Sequence, residues 1–184
     1  MKKKTEIELT PEQACMKRRQ RERVIKSWLY LIVKIVLITA AVYVMMTQVF
    51  GLTVIEDEYM YPSLRDGDIA LFYRLNNEYR VGDIVTFRKG NTRYTGRVAA
   101  SGADTVDMTE AGELLVNAQI RTEAVFYPTY KNGSDIGYPL TVPDEAVFLL
   151  GDMRTEAADS RDYGPVPVSA IDGLVFCVIR RRGL

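Results

Sequence analysis

Residues 151–166 read GDMRTEAADSRDYGPV, directly after the apolar run Ala146–Leu150. The stretch opens on a Gly-Asp pair and sets Arg154, Asp159 and Arg161 close together. Charges of opposite sign at that spacing predict a loop held by charge-assisted hydrogen bonds. Gly-Asp recurs upstream at Gly67-Asp68 and Gly82-Asp83. Such pairs make turns in which the aspartate accepts from nearby backbone N–H groups.

Outward from these turns the chain breaks into short apolar runs. Ile69–Tyr73 is one, and Gly82–Phe87 is another, followed by the turn Lys89-Gly90-Asn91. Arg93 to Ala100 alternates and pairs back as a hairpin, and Leu114–Val116, Ala146–Leu150 and Gly173–Ile179 continue the pattern. No part of 51–184 carries a long stripe of period 3.6. The expectation is a mostly β domain, an antiparallel barrel or sheet with one core.

Residues 28–50, WLYLIVKIVLITAAVYVMMTQVF, contain one charge, Lys34, and neither Pro nor Gly. A bilayer core about 30 Å thick needs about 20 helical residues. Lys34 lies near one end, where its stem can snorkel to the headgroups, and Trp28 and Tyr30 suit an interfacial belt. A cleaved leader has a shorter apolar core followed by a small-x-small site, and neither feature is present here. The chain therefore divides into a basic cytoplasmic tail, 1–27, a transmembrane helix, 28–50, and an extracytoplasmic domain, 51–184. The tail carries nine basic residues against four acids, whereas 51–184 carries fourteen against twenty. Positive charge before the span places the amino terminus inside, in a single-pass cell-membrane topology. An acidic body argues against nucleic acid as a partner.

The sequence has no histidine, which excludes Ser-His-Asp and Cys-His machinery within this chain and the common zinc sites. No metal and no cofactor is expected. Cys15 and Cys177 fall on opposite sides of the apolar segment, so no disulfide between them is expected. Cys177 reads as a buried small hydrophobe.

Three boxes, in order, resemble those of the type I signal peptidases, especially the small Gram-positive ones. Glu58 to Asp68 (EYMYPSLRDGD) is similar to Ser-Met-x-Pro-Thr-Leu-x-x-Gly-Asp. Gly82–Phe87 with Tyr94–Val98 is similar to Gly-Asp-Ile-Val-x-Phe followed by Lys-Arg-Val. The stretch 151–166 is similar to Gly-Asp-Asn-Arg-x-x-Ser-x-Asp-Ser-Arg-x-x-Gly-x-Val. Met60, Pro62, Leu64, Arg97, Asp152, Arg154, Asp159, Ser160 and Arg161 keep the pattern, and their expected role is scaffold or groove. With the apolar segment, the resemblance covers nearly all of 28–184.

The resemblance implies hydrolysis of the bond between a signal peptide and a secreted protein, by a serine nucleophile and a neutral lysine base. At the nucleophile position stands Tyr59, at the base position Gly96, and at the lysine-orienting serine position Ala157. A phenol is bulkier than a serine hydroxymethyl and needs a strong base, and Gly96 offers no side chain. Ser63 is a turn or strand residue. Of the lysines beyond the apolar segment, Lys89 is expected in a turn and Lys131 in an exposed loop.

The implied function is therefore non-catalytic: a membrane-anchored assembly or chaperone factor similar to the signal-peptidase-like proteins of sortase-dependent pili. Its partners would be the membrane, secreted-protein or pilin segments, and a sortase. The alternatives are an active signal peptidase with an unrecognised dyad, and a relic with a structural part in a membrane complex. Two expectations concern Tyr59. It fills the volume vacated at Gly96, a large-for-small change beside a small-for-large one. Alternatively, with Met60 and Tyr61, it floors an open peptide cleft.

Overall fold

The computed structural model describes residues 11–122, 125, 127–133 and 135–180. The basic residues Lys2, Lys3 and Lys4 lie outside these, as does the side chain of Cys15. The chain divides into two units between Met45 and Met46.

The described part of the first unit is a helix, α1 (Pro11–Val44), and a π-helical turn, Met45–Val49, follows it in the chain and runs into the second unit. Its side chains from Arg19 to Val44 are all exposed. Arg19–Val49 is long and apolar enough to cross a membrane by length and composition. The helix begins well before the expected residue 28, so the basic cluster up to Lys26 shares one continuous helix with the apolar run. It also stops earlier than expected, because Phe50 already belongs to a strand.

The second unit holds strands β1 (Phe50–Val54), β2 (Ile69–Tyr73), β3 (Ile84–Lys89), β4 (Thr92–Ser101), β5 (Thr105–Met108), β6 (Leu114–Val116), β7 (Gln119–Ile120), β8 (Leu140–Thr141), β9 (Ala146–Leu150), β10 (Val166–Pro167) and β11 (Ile171–Ile179). A one-turn helix, α2 (Ser160–Tyr163), precedes β10. Seven strands form one antiparallel sheet in the order β1-β2-β11-β3-β4-β9-β10, and four form a second in the order β7-β6-β5-β8. As paired, the large sheet is open, with β1 and β10 at its edges. The hairpin expected from Gly82 to Ala100 is β3–β4, in the register Thr86↔Thr95.

The buried apolar residues form three clusters instead of the single expected core. One lies at the small sheet around Phe148, Val106 and Val116. A second gathers Phe87, Val85, Val98 and Leu149. The third, Ile55, Met60, Leu64 and Ala70, underlies the segment after β1. Cys177 is exposed, contrary to expectation. A register shift between Val175 and Cys177 inserts Phe176 into β11, so both Phe176 and Cys177 come out on the solvent side.

Candidate functional site

The three Gly-Asp pairs have two different physical causes. Gly67 and Gly82 have φ of 82° and 98°, the left-handed region that favours glycine. Beside them Asp68 accepts from the Arg65 amide at 3.1 Å and Asp83 from the Arg80 amide at 2.9 Å. Gly151 is glycine for lack of room. A Cβ there would lie 2.3 Å from the Ala157 Cβ and 2.7 Å from the Tyr59 carbonyl oxygen.

Asp152 turns away from its own loop. Its carboxylate takes a bidentate bond from Arg97, Nε to Oδ1 at 2.8 Å and Nη2 to Oδ2 at 2.6 Å. The Ser63 hydroxyl donates to Oδ2 and accepts from Arg97 Nη2 at 3.0 Å. Arg97 Nη1 also donates to the Gly82 carbonyl at 2.9 Å. One buried carboxylate thus joins the loops after β1, before β3 and after β9.

The other charged residues of the stretch fold inward. Asp159 caps α2 and receives Arg161 Nε at 2.8 Å, Arg161 Nη2 at 2.9 Å and the Gly151 amide at 3.0 Å. Arg161, 1% exposed, donates in addition to the Arg154 carbonyl at 2.7 Å. Arg154 itself donates to the Gly151 carbonyl at 2.7 Å and to the Thr129 hydroxyl. The Ser160 hydroxyl accepts the Leu149 amide at 2.9 Å.

This frame brings Tyr59 and Ala157 together. The Tyr59 carbonyl accepts the Met153 amide at 2.9 Å, and Ala157 is buried with its methyl against Gly151. Gly96 lies on β4, where a Cβ would meet Leu149 Cβ at 3.2 Å and Phe87 Cε1 at 3.5 Å. The atoms nearest that Cβ belong to Leu149 and Phe87 and not to Tyr59, the neighbour that the volume-exchange expectation would place there. Tyr59 is half-buried, and its hydroxyl has no hydrogen-bond partner among the described residues. Met60 does not floor a cleft either, being fully buried in the third core cluster. Tyr61 is exposed beneath Arg65, 5.3 Å from ring centroid to guanidinium carbon, and Pro62 follows it in the turn.

Neither lysine of the β unit reaches these positions. Lys89 is the last residue of β3, its ammonium 3.8 Å from the Tyr163 ring centroid. Lys131 pairs with Asp107 at 2.8 Å and holds that carboxyl below its ordinary value by its side-chain hydrogen bond. Burial pushes the Tyr163 phenol well above its usual range.

Tyr59 lines a cavity of about 610 Å³ with Leu52–Asp57 on one side and Asn91–Thr95 on the other. Both walls are strand edges. β1 pairs with β2 alone, and β4 pairs with β9 only from Arg97 onward. Thr92–Gly96 therefore keep an unpaired edge among the described residues. Sequence reasoning does not bring Thr95, Glu56 or Asp57 to the site. The acidic run Glu56-Asp57-Glu58 is plain in the sequence, but which strands flank it is not.

A family model described as signal peptidase, peptidase S26 matches residues 25–179. The chain belongs to this family. Among similar proteins, thylakoidal processing peptidase 1 of Arabidopsis thaliana is 30% identical over 130 residues, 62% of this chain and 37% of that protein. Signal peptidase I of Bacillus amyloliquefaciens is 28% identical over 61% of this chain and 66% of its own. The signal peptidase match thus spans less than two thirds of the length of each of these two relatives. A protein named inactive signal peptidase IA, of Staphylococcus aureus, is 28% identical over 76% of this chain and 85% of its own. A solved signal peptidase I from Enterococcus faecalis is similar with a TM-score of 0.47 at 23% identity, covering 54% of this chain and 97% of its own. Within the signal peptidase family, this chain carries Tyr59, Gly96 and Ala157 where the resemblance implies serine, lysine and serine.

Proposed function

We propose that this chain is a non-catalytic signal peptidase homologue, anchored in the cell membrane, that holds extended segments of secreted proteins during their assembly. Pilin segments and a sortase are the partners the resemblance implies. The observation that carries the reading is at Gly96: the position where the resemblance implies a lysine has no side chain, and a Cβ there would sit 3.2 Å from Leu149 Cβ and 3.5 Å from Phe87 Cε1, among apolar groups. Ser63, the nearest hydroxyl in the box, is already engaged on both sides. Its proton goes to Asp152, and the same carboxylate is bound twice by Arg97.

Binding without cleavage fits the groove. Two unpaired strand edges facing one cavity suit an extended peptide that adds a strand to either wall. The outer face of β1, β2 and β11 carries exposed Leu52, Val54, Ile69, Phe176 and Ile179. An apolar face of that kind suits contact with a bilayer. The orientation follows the basic cluster before the apolar helix, with the β unit outside.

Full-length protein in detergent, incubated with a preprotein carrying an Ala-x-Ala site, is expected to leave it intact. Cleavage lost on Ser63→Ala would establish the active peptidase instead. Protease added to intact protoplasts should digest the β unit, and its protection would refute the orientation. In the host bacterium, deletion should leave preprotein processing unchanged and impair surface-protein assembly. An unchanged surface would favour a purely structural part.

A further inference from the structure

The groove carries a polar end that a small apolar side chain would not satisfy. Glu56 and Asp57 line it, and neither forms an ion pair among the described residues. Asp66 and Glu56 act on Asp57 as like charges, and burial together with this repulsion raises its carboxyl above the ordinary value. Thr95 lines the same cavity from β4; it is 7% exposed, and its buried hydroxyl has no partner among the described residues. Its register partner Thr86 is fully buried and likewise unpartnered. Arg93, the one cation among the described residues of the wall, is committed elsewhere: it binds Asp172 at 2.6 Å and lies over the Phe72 ring. Arg88 holds the same Asp172 at 3.0 Å.

We infer that this end of the groove takes a cationic side chain of the bound peptide, resting on the reading of the groove as a peptide site. An ammonium has three donors and no acceptor. Glu56, Asp57 and Thr95 supply three acceptors, with Asp57 Oδ2 open while Oδ1 holds the Tyr59 amide at 3.1 Å. A neutral residue there leaves the Thr95 hydroxyl unpaired in a buried wall, and an acidic one meets two carboxylates. The signal peptidase positions changed in this chain removed the chemistry, whereas this end selects what the groove holds.

The test uses the full-length protein in detergent and fluorescein-labelled octapeptides of alternating Thr and Val with one central residue, Lys, Met or Glu. By fluorescence anisotropy the Lys peptide is expected to bind about tenfold tighter than the Met peptide, the gain of one charge-assisted contact. The variant carrying Glu56→Gln and Asp57→Asn should bring Lys and Met within about twofold. The amide introduced by Asp57→Asn keeps a carbonyl oxygen to accept the Tyr59 amide, so the turn survives. Equal binding of all three peptides to the native protein overturns the inference and leaves the peptide groove standing. If no peptide binds, the groove reading itself fails. Thermal melting with n-butylammonium against n-butanol then decides the cation site: a rise with the ammonium alone, lost in the double variant, supports it, and no difference overturns it.

Discussion

The backbone carbonyl of Tyr59 accepts the amide of Met153 at 2.9 Å, and the Ala157 methyl packs against the Gly151 between them. The Ala157 amide donates to the Met153 carbonyl at 3.0 Å, so two of the three positions at which the resemblance implies catalytic side chains are fastened by main chain, whatever side chain they carry. A methyl at Gly151 has no space between them. Gly151→Ala is expected to destabilise the β unit by about 1–3 kcal/mol, the range for overpacking a filled core. Urea unfolding followed by circular dichroism reads it, and a neutral result would mean that the loop gives way easily.

Gly96 and Tyr59 are expected not to compensate for each other, since the nearest neighbours of a Cβ at Gly96 are Leu149 and Phe87. Gly96→Lys must push its stem between Leu149 and Phe87 and is expected to cost about 1–3 kcal/mol in packing, with a further loss for a charge left among apolar groups. Tyr59→Ala removes a half-exposed side chain beside an open cavity and should cost less than about 1 kcal/mol. The pair Tyr59→Ser with Gly96→Lys should add within about 0.5 kcal/mol. A double variant much more stable than that sum would restore the volume-exchange account.

The Asp152 carboxylate is buried, with its side chain only 3% exposed, while Arg97 remains 23% exposed. Arg97→Ala leaves that carboxylate without its cation. The expected loss is about 3 kcal/mol, the lower end for broken buried pairs because solvent reaches one side. Ser63→Ala removes one hydroxyl from the same network and should cost only about 1 kcal/mol. Reversal of that order in thermal melts would show that Ser63, and not Arg97, holds the three loops together.

Asp57 gives the pH dependence a sign. Its carboxyl is raised in the folded state, first by burial and then by Asp66 and Glu56, against the lowering bond from the Tyr59 amide. The folded protein then holds the proton more tightly than the unfolded chain, so stability falls as pH rises from the unfolded value of 3.8 through the raised folded one, and stays lowered above it. Asp57→Asn should therefore be more stable than the native protein at neutral pH, and the difference should shrink on acidification to about pH 3. A difference in Tm that grows toward low pH would contradict the sign.

Much is legible without coordinates. The three boxes, the apolar segment and strands such as Ile69–Tyr73 and Ala146–Leu150 are local patterns of residue type, and local patterns carry turn and strand chemistry directly. The end of the apolar segment is not legible. Phe50 to Val54 continues it without a charged break, and only pairing with Ile69–Tyr73 makes those residues a strand. Gly51 marks the place, since a side chain there would strike the Phe72 ring.

Which residues stand where the resemblance implies serine, lysine and serine follows from the chain alone, because identity at positions 59, 96 and 157 needs no coordinates to read. What surrounds them depends on how the strands pack. Alternation along β4 turns Gly96 toward Leu149 and Phe87, on the face opposite Thr95, so position 96 meets apolar neighbours while the groove beside it stays open. The bulge that exposes Cys177, the two free strand edges and the meeting of Glu56, Asp57 and Thr95 depend on strand register and order, which bring together residues distant in the chain.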